Sequence, residues 1–289
     1  MFRYELKKNI YSAKNYLIYV LWLFPICISF IFTFLDKRQL RADLTTQAVD
    51  VNLQYARQLY DGTNVFSYIL NFFMSSDFYM IFLLVLLLSL GINFGKREFE
   101  LRNLGSGNML FTRIDIWKGN IKIIVAQVIS SNIMIIIFFT VVTVLMSIIS
   151  PVKQCEIFNL NIPIETSSIW KCLKLELEYV LKLCVFVSGG IIFNYVLSYF
   201  INNKYISSIF LAAIYIVPVF ACTIVSGIST EMGDIISYIV PDRYLFSVYN
   251  RYATGSFSVI NEIVFPVLYG LIIWVVSEIY HKEVKKNYL

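Results

Sequence analysis

Charge is what this chain of 289 residues has least of: Asp, Glu, Lys and Arg together make up only 15% of it. A water-soluble domain carries roughly a quarter, so a soluble enzyme is excluded, and so is a disordered chain, which depends on charge and low hydrophobicity. Histidine occurs once, as His281, and no H-E-x-x-H is present, which excludes a zinc-protease site. Five cysteines (Cys27, Cys155, Cys172, Cys184 and Cys222) are too few and too scattered for a disulfide framework or a metal cluster. The twelve glycines have no collagen-like period. A G-x-S-x-G nucleophile elbow is missing, and so is a phosphate-cradling G-x-x-x-x-G-K-[ST]. The nearest string, Gly91-Ile92-Asn93-Phe94-Gly95-Lys96-Arg97, has too short a gap between its glycines and lacks the hydroxyl that would hold magnesium. The chain is not expected to be an enzyme or to bind a cofactor, a metal or nucleic acid.

What is present is apolar surface. Hydrophobic residues make up 58% of the chain, with 24 Phe and 20 Tyr, and the mean hydropathy is +0.70. Polar groups cannot cover that much apolar surface in water, so an all-α integral membrane protein is expected, folded as a single unit over 1–289. A helix needs roughly 20 apolar residues to cross the hydrocarbon layer. Six segments qualify: Leu17–Leu35, Phe78–Phe94, Ile121–Ile149, Tyr179–Ile201, Tyr205–Gly227 and Val259–Ile279. The first lacks a small-residue cleavage site and is expected to stay as a permanent span. Spans four and five are joined only by Asn202-Asn203-Lys204, so they form a tight antiparallel hairpin.

Placing the N-terminus inside puts fourteen Lys and Arg in the inside segments and nine in the longer outside ones. The rule that cytoplasmic loops are basic therefore predicts cytoplasmic N- and C-termini.

The connections carry further elements. Residues 1–16 read as an N-terminal interfacial helix. In the extracytoplasmic insertion 36–77, Leu40, Leu44, Ala48, Val51, Tyr55 and Leu59 fall on one face of a helix that ends at Asp61-Gly62. The stretch Pro151–Glu178 is polar and irregular before the amphipathic run Trp170–Lys182. It holds Cys155 and Cys172, either as an extracytoplasmic disulfide or as two unpaired thiols. Between spans five and six (228–258), Ile235–Val240 and Tyr244–Tyr249 read as short re-entrant or interfacial helices on either side of Pro241.

The inside connection 96–119 is the most informative. Gly95 to Gly107 reads as a charged amphipathic helix with a glycine break. Asn108 to Gly119 reads as a second short helix, with Thr112 able to cap it. Such a helix can lie among lipid headgroups or fill a partner's groove.

Here the chain resembles the permease subunit of a type-2 ABC exporter. Glu98, Gly105-Ser106, Leu110, Thr112-Arg113 and Lys118 stand where that family carries Glu, Gly-Thr, Leu-Leu, Pro-x-Ser-Arg and Lys. Arg3-Tyr4-Glu5-Leu6-Lys7-Lys8 matches its basic opening helix, and six spans with paired interfacial helices before the last match its topology. Phe111 stands near the expected proline and Gly107 is an extra residue. The resemblance implies a dimer of permeases, identical or not, bound to two separate ATPase subunits that hold the ATP and magnesium. Glu98, Leu101, Leu110, Arg113 and Lys118 would then couple the permease to the ATPase.

Ionisable residues at membrane depth are functional candidates. Lys182 in the fourth span and Glu262 in the sixth are the candidates for a translocation path, and Lys182 lies four residues after Glu178, an intrahelical pairing distance. Sparse membrane charge suits a hydrophobic or amphipathic cargo such as an antimicrobial peptide, a lipid or a drug, exported across a bacterial plasma membrane. The competing reading is a membrane-embedded binding or immunity protein that transports nothing.

Overall fold

A computed structural model of the protein describes residues 2–46, 68–69, 72, 78–94, 116–149, 155–159, 162–166, 169–201, 203–245 and 259–288. Their elements run α1 (Phe2–Ile10), α2 (Ala13–Thr46), α3 (Phe78–Phe94), α4 (Ile116–Ile149), β1 (Cys155–Asn159), β2 (Ile162–Thr166), α5 (Ile169–Phe200), α6 (Lys204–Ile228), α7 (Thr230–Ser237) and α8 (Val259–Tyr288). Among the described residues the regular elements are helical except for β1 and β2, which pair antiparallel with Ile157 opposite Ile164.

Five of these helices are long and apolar enough to cross a membrane: α2, α4, α5, α6 and α8. The chain is a multi-pass membrane protein. The 17-residue α3, about 26 Å long at 1.5 Å per residue, is shorter but very apolar, and nine of its residues are buried. Successive spans run in opposite directions, so α5 and α8, which pair from Lys182–Glu262 to Tyr199–Tyr280, run parallel. The end of the bundle where α1 lies is called proximal below, and the end bearing α7 distal.

Apolar residues in lipid gain little by leaving it, so close packing and internal hydrogen bonds must hold such a bundle together. Trp22 of α2 is fully buried and donates through Nε1 to the Ser89 hydroxyl of α3 at 2.7 Å. The same indole packs edge-on against Phe138 of α4, with ring centroids 5.2 Å apart. Phe82 stacks on Phe138 from α3. At Gly91 a Cβ would sit 2.0 Å from the Ser208 carbonyl oxygen, so only glycine lets α3 and α6 come this close. At Gly189 and Gly190 a Cβ would meet the Tyr269 ring at 2.5 Å and Leu211 Cδ1 at 2.3 Å, so this pair serves close packing of α5 against α8 and α6. Pro25, Pro218 and Pro266 lie inside α2, α6 and α8.

Several boundaries differ from the sequence reading. The first apolar run ends near Leu35, but α2 continues unbroken to Thr46. Asp36, Lys37 and Arg38 end the hydrophobicity without ending the helix, because none of them lacks a backbone N–H or forbids helical dihedrals. The separate helix expected from Leu40 is therefore, as far as Thr46, the tail of α2; Ala48 to Leu59 lie outside the described residues. The run Trp170–Lys182 is the first part of α5 rather than a segment ahead of it. The irregular stretch expected before it contains the β1–β2 hairpin. The side chains of Cys155 and Cys172 lie outside the described set, and with them the question of a disulfide.

The short helices before the last span also sit earlier than expected. α7 covers Thr230–Ser237, capped by the Ser229 hydroxyl on the Met232 amide. Residues 241–245 are helical, so Pro241 opens the second helix. That position suits proline, whose missing N–H would find no helical partner there anyway. The hairpin between α5 and α6 forms as expected, with Asn203 as N-cap accepting from the Tyr205 and Ile206 amides.

Candidate functional site

At the distal end the membrane-depth charges come together. Lys182 of α5 reaches across to Glu262 of α8, its Nζ donating to Oε1 at 3.1 Å. The expected intrahelical partner, Glu178, is also within reach but farther, at 3.8 Å. Side-chain exposures of 12% for Lys182, 24% for Glu178 and 22% for Glu262 place this group between bulk water and the core, where ion pairs are screened far less than on a surface. Lys182 also lies over the Tyr244 ring, 5.5 Å from its centroid, a cation–π distance.

Tyr244 belongs to the chain that returns from α7, and Val240, Tyr244 and Leu245 are buried against the bundle. The Tyr244 ring stacks on Phe265 of α8 at 5.3 Å. Burial, with the Glu262 charge adding to it, pushes the Tyr244 hydroxyl up to about 12. Two residues earlier, Asp242 accepts a hydrogen bond from the Tyr215 hydroxyl of α6 at 2.7 Å, and the same hydroxyl lies 2.9 Å from Met80 Sδ of α3. Burial raises the Asp242 carboxyl above its ordinary value, and the Tyr215 bond partly offsets this. Beneath this layer the Tyr79 and Tyr179 hydroxyls share a hydrogen bond at 2.6 Å, and Thr143 of α4 donates to Glu176 of α5. A returning segment is thus pinned at two points, by Asp242 to α6 and by Tyr244 to α5 and α8, over a seam holding one lysine and two glutamates. Nearby, Arg243 lies 3.8 Å from Asp234 of α7 and over the Tyr238 ring, which closes the returning segment back on α7.

The proximal end is tied differently. Asn120 of α4 donates to the Tyr280 hydroxyl of α8 at 2.7 Å and accepts from Tyr195 of α5 at 3.2 Å. Asn15 satisfies the Asn9 and Ile10 carbonyls at the end of α1, at 2.5 and 2.9 Å, and accepts from Asn93 of α3. Gln127 donates to the Phe94 carbonyl. These bonds join neutral groups.

Of the residues singled out in the sequence, Lys182 and Glu262 meet in one pair, although 80 positions separate them. Lys118 is exposed at the start of α4. Glu98, Leu101, Leu110 and Arg113 lie outside the described residues. Sequence reasoning passed over Tyr79, Tyr179, Tyr215, Asp242 and Tyr244. The tyrosines read as aromatic packing, and the one available signal was Asp242, a carboxylate directly after Pro241 in an otherwise apolar stretch. Among the described residues, no three His, Cys, Asp or Glu side chains converge as a metal site. Comparison with protein-family models, with curated proteins and with solved structures finds no match for this chain.

Proposed function

We propose that this chain is the permease subunit of an ATP-driven exporter in a bacterial plasma membrane. It crosses the membrane six times, with α3 as the second span and both termini in the cytoplasm. The observation that carries the reading is the union of Lys182 and Glu262: two rare membrane-depth charges, from different spans, meet beneath a segment that folds back over them. Charge is expensive at that depth and is usually kept for a pathway or a gate. The resemblance of Glu98 to Lys118 to the coupling segment of type-2 ABC exporters supports the same reading, as does the absence of a nucleotide-binding motif from this sequence. In this scheme, closure of two separate ATPases is passed through Glu98, Leu101, Leu110, Arg113 and Lys118 to a dimer of permeases. A hydrophobic or amphipathic compound such as an antimicrobial peptide, a lipid or a drug then leaves the cell.

The test is a double charge reversal, Glu98→Lys with Arg113→Glu, assayed on the permease reconstituted with its ATPase. Single surface changes usually cost within about half a kcal/mol, so insertion and yield should stay near wild type. Like charges set against a partner should weaken docking, so co-purification with the ATPase and export should be lost. Full association and full export in the double variant would overturn the coupling assignment. Cargo binding that needs no ATPase in either form would instead favour a binding or immunity protein.

A further inference from the structure

Helix α1 presents two unlike faces. Arg3, Tyr4, Lys7, Lys8 and Tyr11 are exposed, and their spacing of three and four residues puts them on one stripe. Glu5, the only acidic residue of α1, is turned the other way and is only 4% exposed. With Glu5 buried, every charge on the outward face of α1 is basic. The stripe continues into α2 through exposed Lys14 and through Tyr16, which is 72% exposed. Immediately beyond, Leu17, Val20, Leu21 and Phe24 form an exposed, wholly apolar strip along the same helix. α1 packs against α4, and the start of α4 adds exposed Lys118 and Lys122.

This succession, a basic face with interleaved tyrosines followed by an apolar strip, matches a membrane leaflet from its headgroup level to its acyl chains. Tyrosine favours the headgroup level, and Lys and Arg beside it attract anionic lipid. An acidic groove on a protein partner could match the charge, but it would give no reason for the basic face to run straight into a lipid-facing apolar strip. The geometry points to a docking surface for anionic phospholipid headgroups on α1 and the base of α4, formed by Arg3, Lys7, Lys8, Lys14 and Lys122, with Tyr4, Tyr11 and Tyr16 at the interface. It draws anionic lipid to the elbow between α1 and α2, where Asn15 and Asn93 tie α1 to the end of α3. The inference needs a membrane protein but no transport activity, so it stands or falls apart from the exporter reading.

The full chain is purified in a neutral detergent and titrated with phosphatidylglycerol or phosphatidylcholine. Retained lipid is counted by native mass spectrometry, and thermal midpoints are followed in parallel. Wild type should retain phosphatidylglycerol in preference, and the quadruple variant Arg3→Gln/Lys7→Gln/Lys8→Gln/Lys14→Gln should lose at least about fivefold in that preference, the order expected from even one such charge. Soluble glycerophosphoglycerol should compete weakly, because it lacks the acyl chains that the apolar strip would hold. If the quadruple variant folds poorly, the pair Lys7→Gln/Lys8→Gln replaces it, together with a salt titration of wild type, where about 0.5 M NaCl should erase the preference by screening. Equal retention of both lipids by wild type, or a preference untouched by substitution or by salt, would overturn the proposal. So would a variant that keeps its lipid preference but no longer co-purifies with an ATPase, since the basic face would then belong to a protein partner.

Discussion

The two ends of the bundle solve one problem in opposite ways. Polar groups inside a membrane protein must find partners within the protein, because lipid offers none. At the proximal end the bonds described above join neutral groups: Asn120 between Tyr280 and Tyr195, Asn15 against Asn93, Gln127 on a backbone carbonyl. At the distal end they carry charge: Lys182 between Glu178 and Glu262, and Asp242 under Tyr215. A neutral network has little to exchange with and is indifferent to pH and salt. A charged one can be opened by a competing ion, a proton or a change of dielectric. The contrast predicts that these proximal bonds respond little to salt or pH and that the distal pairs respond to both.

The largest expected effect tests the charged end. Lys182→Met leaves two carboxylates facing each other at a half-buried site. Breaking such a pair costs on the order of 3 kcal/mol, mostly from the charge left behind. The thermal midpoint in detergent should fall by several degrees and should recover when Glu262→Gln and Glu178→Gln are added. A Lys182→Met protein as stable as wild type would mean that the distal seam is held by its aromatic stacking alone.

A smaller loss is expected at the neutral end. Tyr280→Phe keeps the ring but removes the hydroxyl to which Asn120 donates, stranding one buried amide hydrogen at about 1–2 kcal/mol. That loss should be the same at low and high salt, whereas the stability of the Lys182 cluster should vary with ionic strength. If salt moves both equally, the distinction between the ends is broken.

The smallest effect is in pH. The Asp242 carboxyl is raised above its ordinary value by burial. Protonation is therefore more favourable in the folded state than in the unfolded chain, and the stability it contributes is present in acid and is lost as the pH rises through the elevated value. Thermal midpoints should show that downward slope just above the ordinary carboxylate range, and Asp242→Asn should flatten it. An unchanged slope would assign the titration to another group.

The apolar helices were legible because hydropathy over twenty residues is a strong local signal; five of them reach span length, and Phe78–Phe94 is a shorter one. Phe78–Phe94 and the turn at Asn203 fall where the pattern put them. Helix ends were less so: charge at Asp36 to Arg38 reads as an exit from the membrane, yet the backbone of α2 continues through it. Lys182 and Glu262 could each be flagged by residue type, but their pairing is a property of two helices' relative rotation, which Gly189 and Gly190 permit by admitting Tyr269. Tyr79, Tyr179 and Tyr215 escaped because a tyrosine in an apolar run scores as an aromatic ring, and the destination of its hydroxyl is not written in the run.

Pro266 gives the charged end a mechanical character as well. It has no N–H to offer the carbonyl four residues back, and that carbonyl belongs to Glu262. The rung missing from the α8 ladder is thus the one directly beneath the residue that clasps Lys182. The hydrogen-bond ladder of α8 is thus in two lengths, a long one toward its C-terminus and a short one that carries the carboxylate. Pro25 and Pro218 remove the same kind of rung from α2 and α6, but in α8 the gap falls at the residue that holds Lys182.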